Sequence, residues 1–310
     1  MRSAFSISDL IGLASNPLLP VGSLLNERCY QEKRAMVLLE KGLPKYLYKY
    51  RCFEDDHIDA LTRHTIYFSR GREFNDPFDA CKDVPMILSD REYAVKFYQK
   101  RNPKSYADYL KRFGSKQATD DALFRTLQNS QHDHKDIING VLQRLESSYI
   151  LSLSTSATNH LLWSHYGGWH SGFCIRFKTQ ALIDSMNIEC AGPVTYTDEP
   201  INLFKFMCDG QDDYVNEARR LVNRKSIAWE YEREYRLIHN RFANSLSADG
   251  SIACTYPKDC VDAIFFGIRT CEQKKRELFE IYENQVIYKE VRQKQASYEL
   301  TVSTDRYQPT

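Results

Sequence analysis

Glu230, Glu232 and Glu234 stand on alternate positions of the stretch WEYEREYRLI, residues 229–238. In an extended backbone alternate side chains share a face, so three carboxylates would line one side of a strand. Like charges that close raise one another's pKa, and the arrangement needs water, a cation or a ligand to answer it. Two other segments carry matching chemistry. LYKYR, residues 47–51, puts Lys49 and Arg51 on one face of a strand pattern, and YILSLSTS, residues 149–156, ends in Ser154, Thr155 and Ser156.

These residues need strands to hold them, and the chain supplies the signals. Alternating apolar positions predict strands over 47–53, 65–69, 149–155, 172–177, 192–196, 234–238, 262–268 and 286–291. Helical spacing marks 30–42 and 211–227, with Gly42 a stop for the first. Asn75, Asp76 and Pro77 in REFNDPFDAC favour a turn. Residues 87–148 lack strand alternation and read as an inserted helical subdomain, broken near Pro103 and Gly114. Strands and helices do not alternate strictly, which indicates α+β rather than a doubly wound sheet. The division expected is a 1–45 extension with a helix, then a 46–310 domain carrying the insert at about 87–148.

Composition narrows the class. The 310 residues carry a formal net charge of +1, which excludes a globally basic nucleic-acid binder and makes any such contact local. Nine cysteines without CxxC spacing suggest reduced thiols in a cytoplasmic protein, neither a disulfide framework nor a zinc ribbon. The first 25 residues lack the clean apolar run of a secretory signal, and no stretch reaches the ~18 apolar residues of a membrane span. His160, His165, His170 and Cys174 match no common zinc spacing, and QHDHKD (131–136) reads as a solvated loop, so no metal is expected.

The order Arg51, then Ser154-Thr155-Ser156, then Glu232-x-Glu234 resembles the R-S-E signature of mono-ADP-ribosyltransferases. Tyr48-Lys49 resembles the Tyr-His pair of the branch that modifies DNA and RNA. Separately, LYKYR, FNDPFD, WSHYGGWHSGFCIRF and WEYEREYRL occur in order and resemble a bacterial family of uncharacterised proteins linked to abortive phage infection, over most of 46–270. The resemblance implies an ADP-ribosyltransferase-like fold of split mixed and antiparallel sheets with a helical insert. It also implies a phage-defence toxin that uses NAD as substrate and is restrained by an antitoxin, with a chaperone as a further partner.

That chemistry suits the residue types. Cleavage of the nicotinamide–ribose bond passes through an oxocarbenium-like state, as glycoside cleavage does. Glu234 would face the developing cation and Glu232 would orient or deprotonate the acceptor. Lys49 or Arg51 would hold a phosphate or ribose of NAD, Arg being the better bidentate partner. Ser154 and Ser156 would brace Glu234 and hold the strand edge open, and with Thr155 they would line the NAD site. Asn75, Asp76 and Asp79 would shape the pocket, or form a satisfied turn. Trp163, Tyr166 and Trp169, with His165, would make an aromatic wall near the nicotinamide. The absence of GxGxxG argues against a Rossmann mode of binding.

The insert points to an acceptor. Residues 91–116 hold eight basic residues against Glu92 and Asp108. Lys96, Lys100, Arg101, Lys104, Lys111 and Arg112 are interleaved with aromatics, as on a single-stranded nucleic-acid surface. Amphipathic helices with the aromatics inward give the same pattern. RNA is expected ahead of DNA. A protein acceptor, an NAD glycohydrolase, and a non-enzymatic recognition or scaffold module are the alternatives.

Overall fold

The structure, a computed structural model, describes residues 42–80, 85–87, 90–129, 148–202, 204–205, 208, 222–239 and 251–309. The expected 30–42 helix up to Lys41, the 131–136 loop and most of the 211–227 helix lie outside them.

Strand β1 (Tyr46–Arg51) is followed by helix α1 (Asp55–Thr62), β2 (Thr65–Arg70) and, after the loop, the two-residue β3 (Met86–Ile87). Three helices of the insert follow: α2 (Arg91–Arg101), α3 (Pro103–Phe113) and α4 (Lys116–Asn129). The breaks have local causes. Asp90 caps α2 by accepting from Tyr93 N (3.1 Å). Pro103 opens α3, and Gly114 closes it in the left-handed conformation at φ 74°.

The chain then runs through β4 (Tyr149–Ser154), α5 (His160–His165), β5 (Phe173–Lys178), α6 (Thr179–Asp184) and β6 (Ile188–Pro193). The short strands β7 (Thr195–Tyr196), β8 (Ile201–Asn202) and β9 (Arg224–Lys225) lead to β10 (Glu234–His239) and β11 (Ile252–Thr255). Last come β12 (Val261–Phe266), α7 (Glu272–Tyr282), β13 (Ile287–Gln293) and β14 (Leu300–Val302).

The main sheet is open and mostly antiparallel, and the molecule is α+β. Among the described residues, only β12 and β13, joined across α7, pair in parallel within it. The sheet forks at β4. One edge of β4 pairs with β10 along its whole length, from Glu234↔Ser154 to His239↔Tyr149. The other edge is shared: Ser69 and Arg70 of β2 take one end, and Tyr48 of β1 takes Ser154 at the other. The opposite edge of β1 pairs with β5 along its whole length, from Tyr46↔Lys178 to Arg51↔Phe173, and β5 leads to β12, β13 and β14.

Both faces are covered. One carries Leu47, Leu153, Phe177, Leu237 and Phe266 against Leu182 of α6 and Leu278 of α7. The other carries Tyr50, Cys174 and Phe265 beneath Trp163 of α5. Trp163 is fully buried and its indole N–H donates to the Ala157 carbonyl at 2.9 Å. A side-chain carbon at Gly172 would meet the Arg51 carbonyl oxygen at 2.2 Å, so the turn into β5 admits only glycine.

Two sequence expectations are corrected. Residues 227–232 form a 3-10 turn, not an extended strand, so Glu230, exposed on that turn, shares no row with Glu234. Ser226 starts the turn by accepting from Ala228 N (3.3 Å). Of the expected 211–227 helix, Val222 is helical, and the helix ends there because Arg224–Lys225 form strand β9 beside β7 (Thr195 N to Asn223 O, 2.7 Å).

Candidate functional site

The three segments singled out in the sequence lie on adjacent strands. Tyr48 faces Ser154, and Ser154 faces Glu234, in one row across β1, β4 and β10 at the fork. Directly opposed residues of antiparallel strands share a face. Tyr48, Ser154 and Glu234 therefore project to one side, whereas Lys49 and Arg51 oppose Ile175 and Phe173 of β5 and project to the other. Lys49 closes the fork: its ammonium donates to the Ser152 carbonyl at 2.7 Å, where β4 has no strand partner on that edge. Burial, then repulsion from Arg51, lowers Lys49 to about 7, against the pull of Glu234 and Glu232. Burial also lowers Arg51 to about 10, and Arg51 has no ion pair among the described residues.

The Ser-Thr-Ser segment holds the acidic turn by its backbone. Ser154 Oγ donates to the Glu232 carbonyl (2.7 Å), and Thr155 gives both N and Oγ1 to the Arg233 carbonyl (3.1 and 3.2 Å). Asn159, which caps α5 through Leu161 N and Leu162 N, also donates to the Tyr231 carbonyl. With three successive carbonyls taken, Arg233 is driven to φ 45°, and the chain turns sharply between the two glutamates. Ser156 serves the same loop: its N donates to Ser154 Oγ (3.1 Å) and its carbonyl accepts from Tyr50 OH (2.8 Å).

Glu232 and Glu234 enter a buried charge cluster that the sequence reading missed in part. Arg236 grips Glu234 with two nitrogens, Nε at 2.7 Å and Nη2 at 3.0 Å, and reaches Asp79 Oδ2 at 2.6 Å. Lys225 of β9 lies 2.6 Å from Glu232, 3.4 Å from Glu234 and 3.4 Å from Asp79. Arg236 is wholly buried, and its Nη1 donates to the Val222 carbonyl. Three carboxylates thus meet two cations. Arg236, two residues after Glu234 on the same strand face, was legible as its partner; Lys225, brought in by β7–β9 pairing, was not.

Burial pushes the Glu234 carboxyl up, but the Arg236 guanidinium and then Lys225 override it and hold the group at about 2. Burial favours the neutral form of Lys225, and Glu234, Asp79 and Glu232 reverse this and raise it. Tyr166 OH donates to Glu232 Oε1 (2.8 Å) and accepts from Asn75 Nδ2 (3.1 Å). Burial, reinforced by Glu232, raises the Tyr166 phenol. Asp76 closes the turn by accepting from Phe78 N (2.9 Å), so from FNDPFD it is Asn75 and Asp79 that reach the cluster.

An aromatic strip flanks the carboxylates. Ring centroids run Trp229–Tyr231 (6.0 Å), Tyr231–His165 (6.2 Å) and His165–Tyr166 (6.3 Å). Trp163 is not part of it, being in the core, and Trp169 is 74% exposed. The insert's aromatics also turn inward: Phe97 and Tyr98 are buried with Leu123, and Tyr93, Tyr106, Tyr109 and Phe113 pack on them. Its charges stay outside. Lys96 pairs with Glu92 (2.6 Å), Lys111 lies 3.7 Å from Asp108, and Lys100 donates to the Cys208 carbonyl (3.0 Å). Lys104 and Arg112 are exposed, and the side chain of Arg101 lies outside the described ones.

Fold and site together define an α+β protein with a forked sheet and a buried carboxylate–cation cluster beside the fork. Residues 162–237 match the model of DUF2971, a family of proteins of unknown function. The match runs from α5 to β10 and includes both glutamates and Lys225, while β1 and the helical insert lie outside it. No curated protein and no solved structure matches the chain. Among the described residues no helix is long and apolar enough to cross a membrane.

Proposed function

We propose that this protein transfers ADP-ribose from NAD to a nucleic acid, RNA ahead of DNA, with Glu234 as the group that meets the developing cation. The observation that carries the reading is the row Tyr48–Ser154–Glu234 at the fork, with Glu234 held ionised. Nicotinamide leaves with the electrons of its bond to C1′, and the ribose acquires positive charge. A cluster with one more carboxylate than cation favours that charge, and fixed neighbours need no reorganisation to do so. The acceptor then attacks C1′ and gives up its proton, for which Glu232 is the nearest base. The aromatic strip offers stacking for a nicotinamide or a base. Lys49 and Arg51 face away from Glu234 across the sheet, so this reading requires the pyrophosphate to be held by other groups. Control by an antitoxin follows from the resemblance to defence toxins.

One observation favours a recognition or scaffold module instead. Both oxygens of each glutamate are already occupied, by Arg236, Lys225 and Tyr166, as in a purely structural ion cluster. Incubation with labelled NAD and separated RNA, DNA and protein decides between them. Transfer predicts label in RNA, lost in Glu234→Gln with folding intact. Label in protein, or free ADP-ribose alone, would redirect the assignment to the protein-directed transferase or the glycohydrolase. No turnover by the wild type would establish the scaffold.

A further inference from the structure

Where β1 ends, a second cluster forms that has no part in the carboxylate site. We propose that Cys52, Glu54 and His57 bind a divalent transition metal of the zinc type. Cys52 Sγ lies 3.3 Å from His57 Nδ1, and Glu54 Oε2 lies 3.9 Å from the same nitrogen. All three ligand atoms fall within 4.8 Å of one another. Tetrahedral zinc with bonds of about 2.0–2.3 Å sets its ligand atoms roughly 3.3–3.6 Å apart, so modest side-chain rotation closes the site.

The backbone fixes two of the ligands. Glu54 is the N-cap residue of α1, and its carbonyl accepts from His57 N (3.0 Å) and Ile58 N (3.1 Å). Cys52 is set by its position one residue past β1, opposite the glycine turn at Gly168. The His57 side chain is 28% exposed and that of Glu54 69%, which leaves a path for a hydrated ion and lets the glutamate swing inward. A fourth position remains open to water. Thiolate, imidazole and carboxylate together select zinc or cobalt over magnesium or calcium. His57 Nδ1 also sits 3.2 Å from the Cys52 carbonyl, and binding must displace any proton shared there. Cys52 must likewise release its thiol proton to the solvent as the metal–sulfur bond forms. Nearby Arg51 opposes a cation, while Asp55 and Asp56 in the first turn of α1 favour one.

The test is titration of the metal-free full chain with cobalt(II). The expected result is a thiolate-to-cobalt charge-transfer band with tetrahedral visible absorption, saturating at one equivalent and displaced by zinc. Cys52→Ser should abolish the band, and His57→Gln should weaken binding by about 100-fold or more, since even outer-shell losses cost 10–100-fold. Glu54→Gln should weaken it less. Circular dichroism identical to wild type would confirm that the variants fold. A band that survives Cys52→Ser but vanishes in Cys271→Ser, the exposed thiol, would overturn the proposal, as would no band at all.

Discussion

Glu234 and Arg236 sit two residues apart and act as one unit. Removing one partner of a buried pair leaves an uncompensated charge, so Arg236→Met should cost about 3–5 kcal/mol. Chemical denaturation measures this, and a loss under about 1 kcal/mol would mean that water enters the cluster. The acid dependence has a definite sign. The folded pKa of Glu234, about 2, lies below an unfolded value of roughly 4.3. Its stabilisation is present above the unfolded value and is lost as pH falls from about 5 toward 2. Melting temperatures across that range should fall less steeply in Glu234→Gln. Lys49 behaves oppositely to a surface lysine. With a folded pKa near 7, its protonated form is disfavoured in the fold, so its contribution improves from about pH 7 to about pH 10. Lys49→Met should flatten that rise relative to wild type, and an unchanged slope would show that Lys49 titrates in water.

Among the elements, the insert helices and the β1–β5 pair make separable demands. Among the described residues, Phe97 of α2 is buried in a cluster formed by the insert with Phe204 and Cys208. Phe97→Ala should cost about 3–5 kcal/mol there. Hydrogen exchange should quicken over 91–129 while amides of β4, β5 and β10 keep their protection. Equal loss in both would mean that the insert and sheet unfold as one. Gly172→Ala tests the other element. Its methyl group would press on the Arg51 carbonyl, so Arg51 and the pairing with Phe173 must shift. A destabilisation of more than about 2 kcal/mol by thermal or denaturant melting is expected.

For the whole molecule the charge is nearly balanced, so on the proposed reading a polyanion would be met by the local basic excess of the insert. If α2 and α3 steer a single strand, transfer should fall steeply with salt, because each phosphate contact displaces counterions. Charge reversal at Lys100, Arg101, Lys111 and Arg112 together should depress transfer to RNA and spare hydrolysis of NAD alone. Loss of both activities in equal measure would make the insert structural. The inward-turned aromatics mean that base stacking there is not needed for this result; the strip of Trp229, Tyr231, His165 and Tyr166 is the surface where it would be sought.

The sequence by itself determined the features that obey local rules. Alternation marked β1, β2, β4, β5, β10, β12 and β13, and Pro103 and Gly114 marked the helix breaks, because proline and glycine act on their own backbone. It also brought forward the three segments that became neighbours. Tertiary structure decided which side each residue faces. The period-2 pattern of WEYERE read as extended, but Ser154, Thr155 and Asn159, more than 70 positions earlier in the chain, take its carbonyls and turn it. Lys49 and Arg51 fell on the far side of the sheet because register, not composition, assigns a strand's faces. The cations that answer the opening carboxylates were likewise settled by pairing: β9 carries in Lys225, and the FNDPFD turn carries in Asp79 as a further acid. Asp79 and Arg236 are 157 positions apart, beyond any local window. Lys225 is only seven positions from Glu232, but the pairing of β9 with β7 decides that its side chain meets the carboxylates.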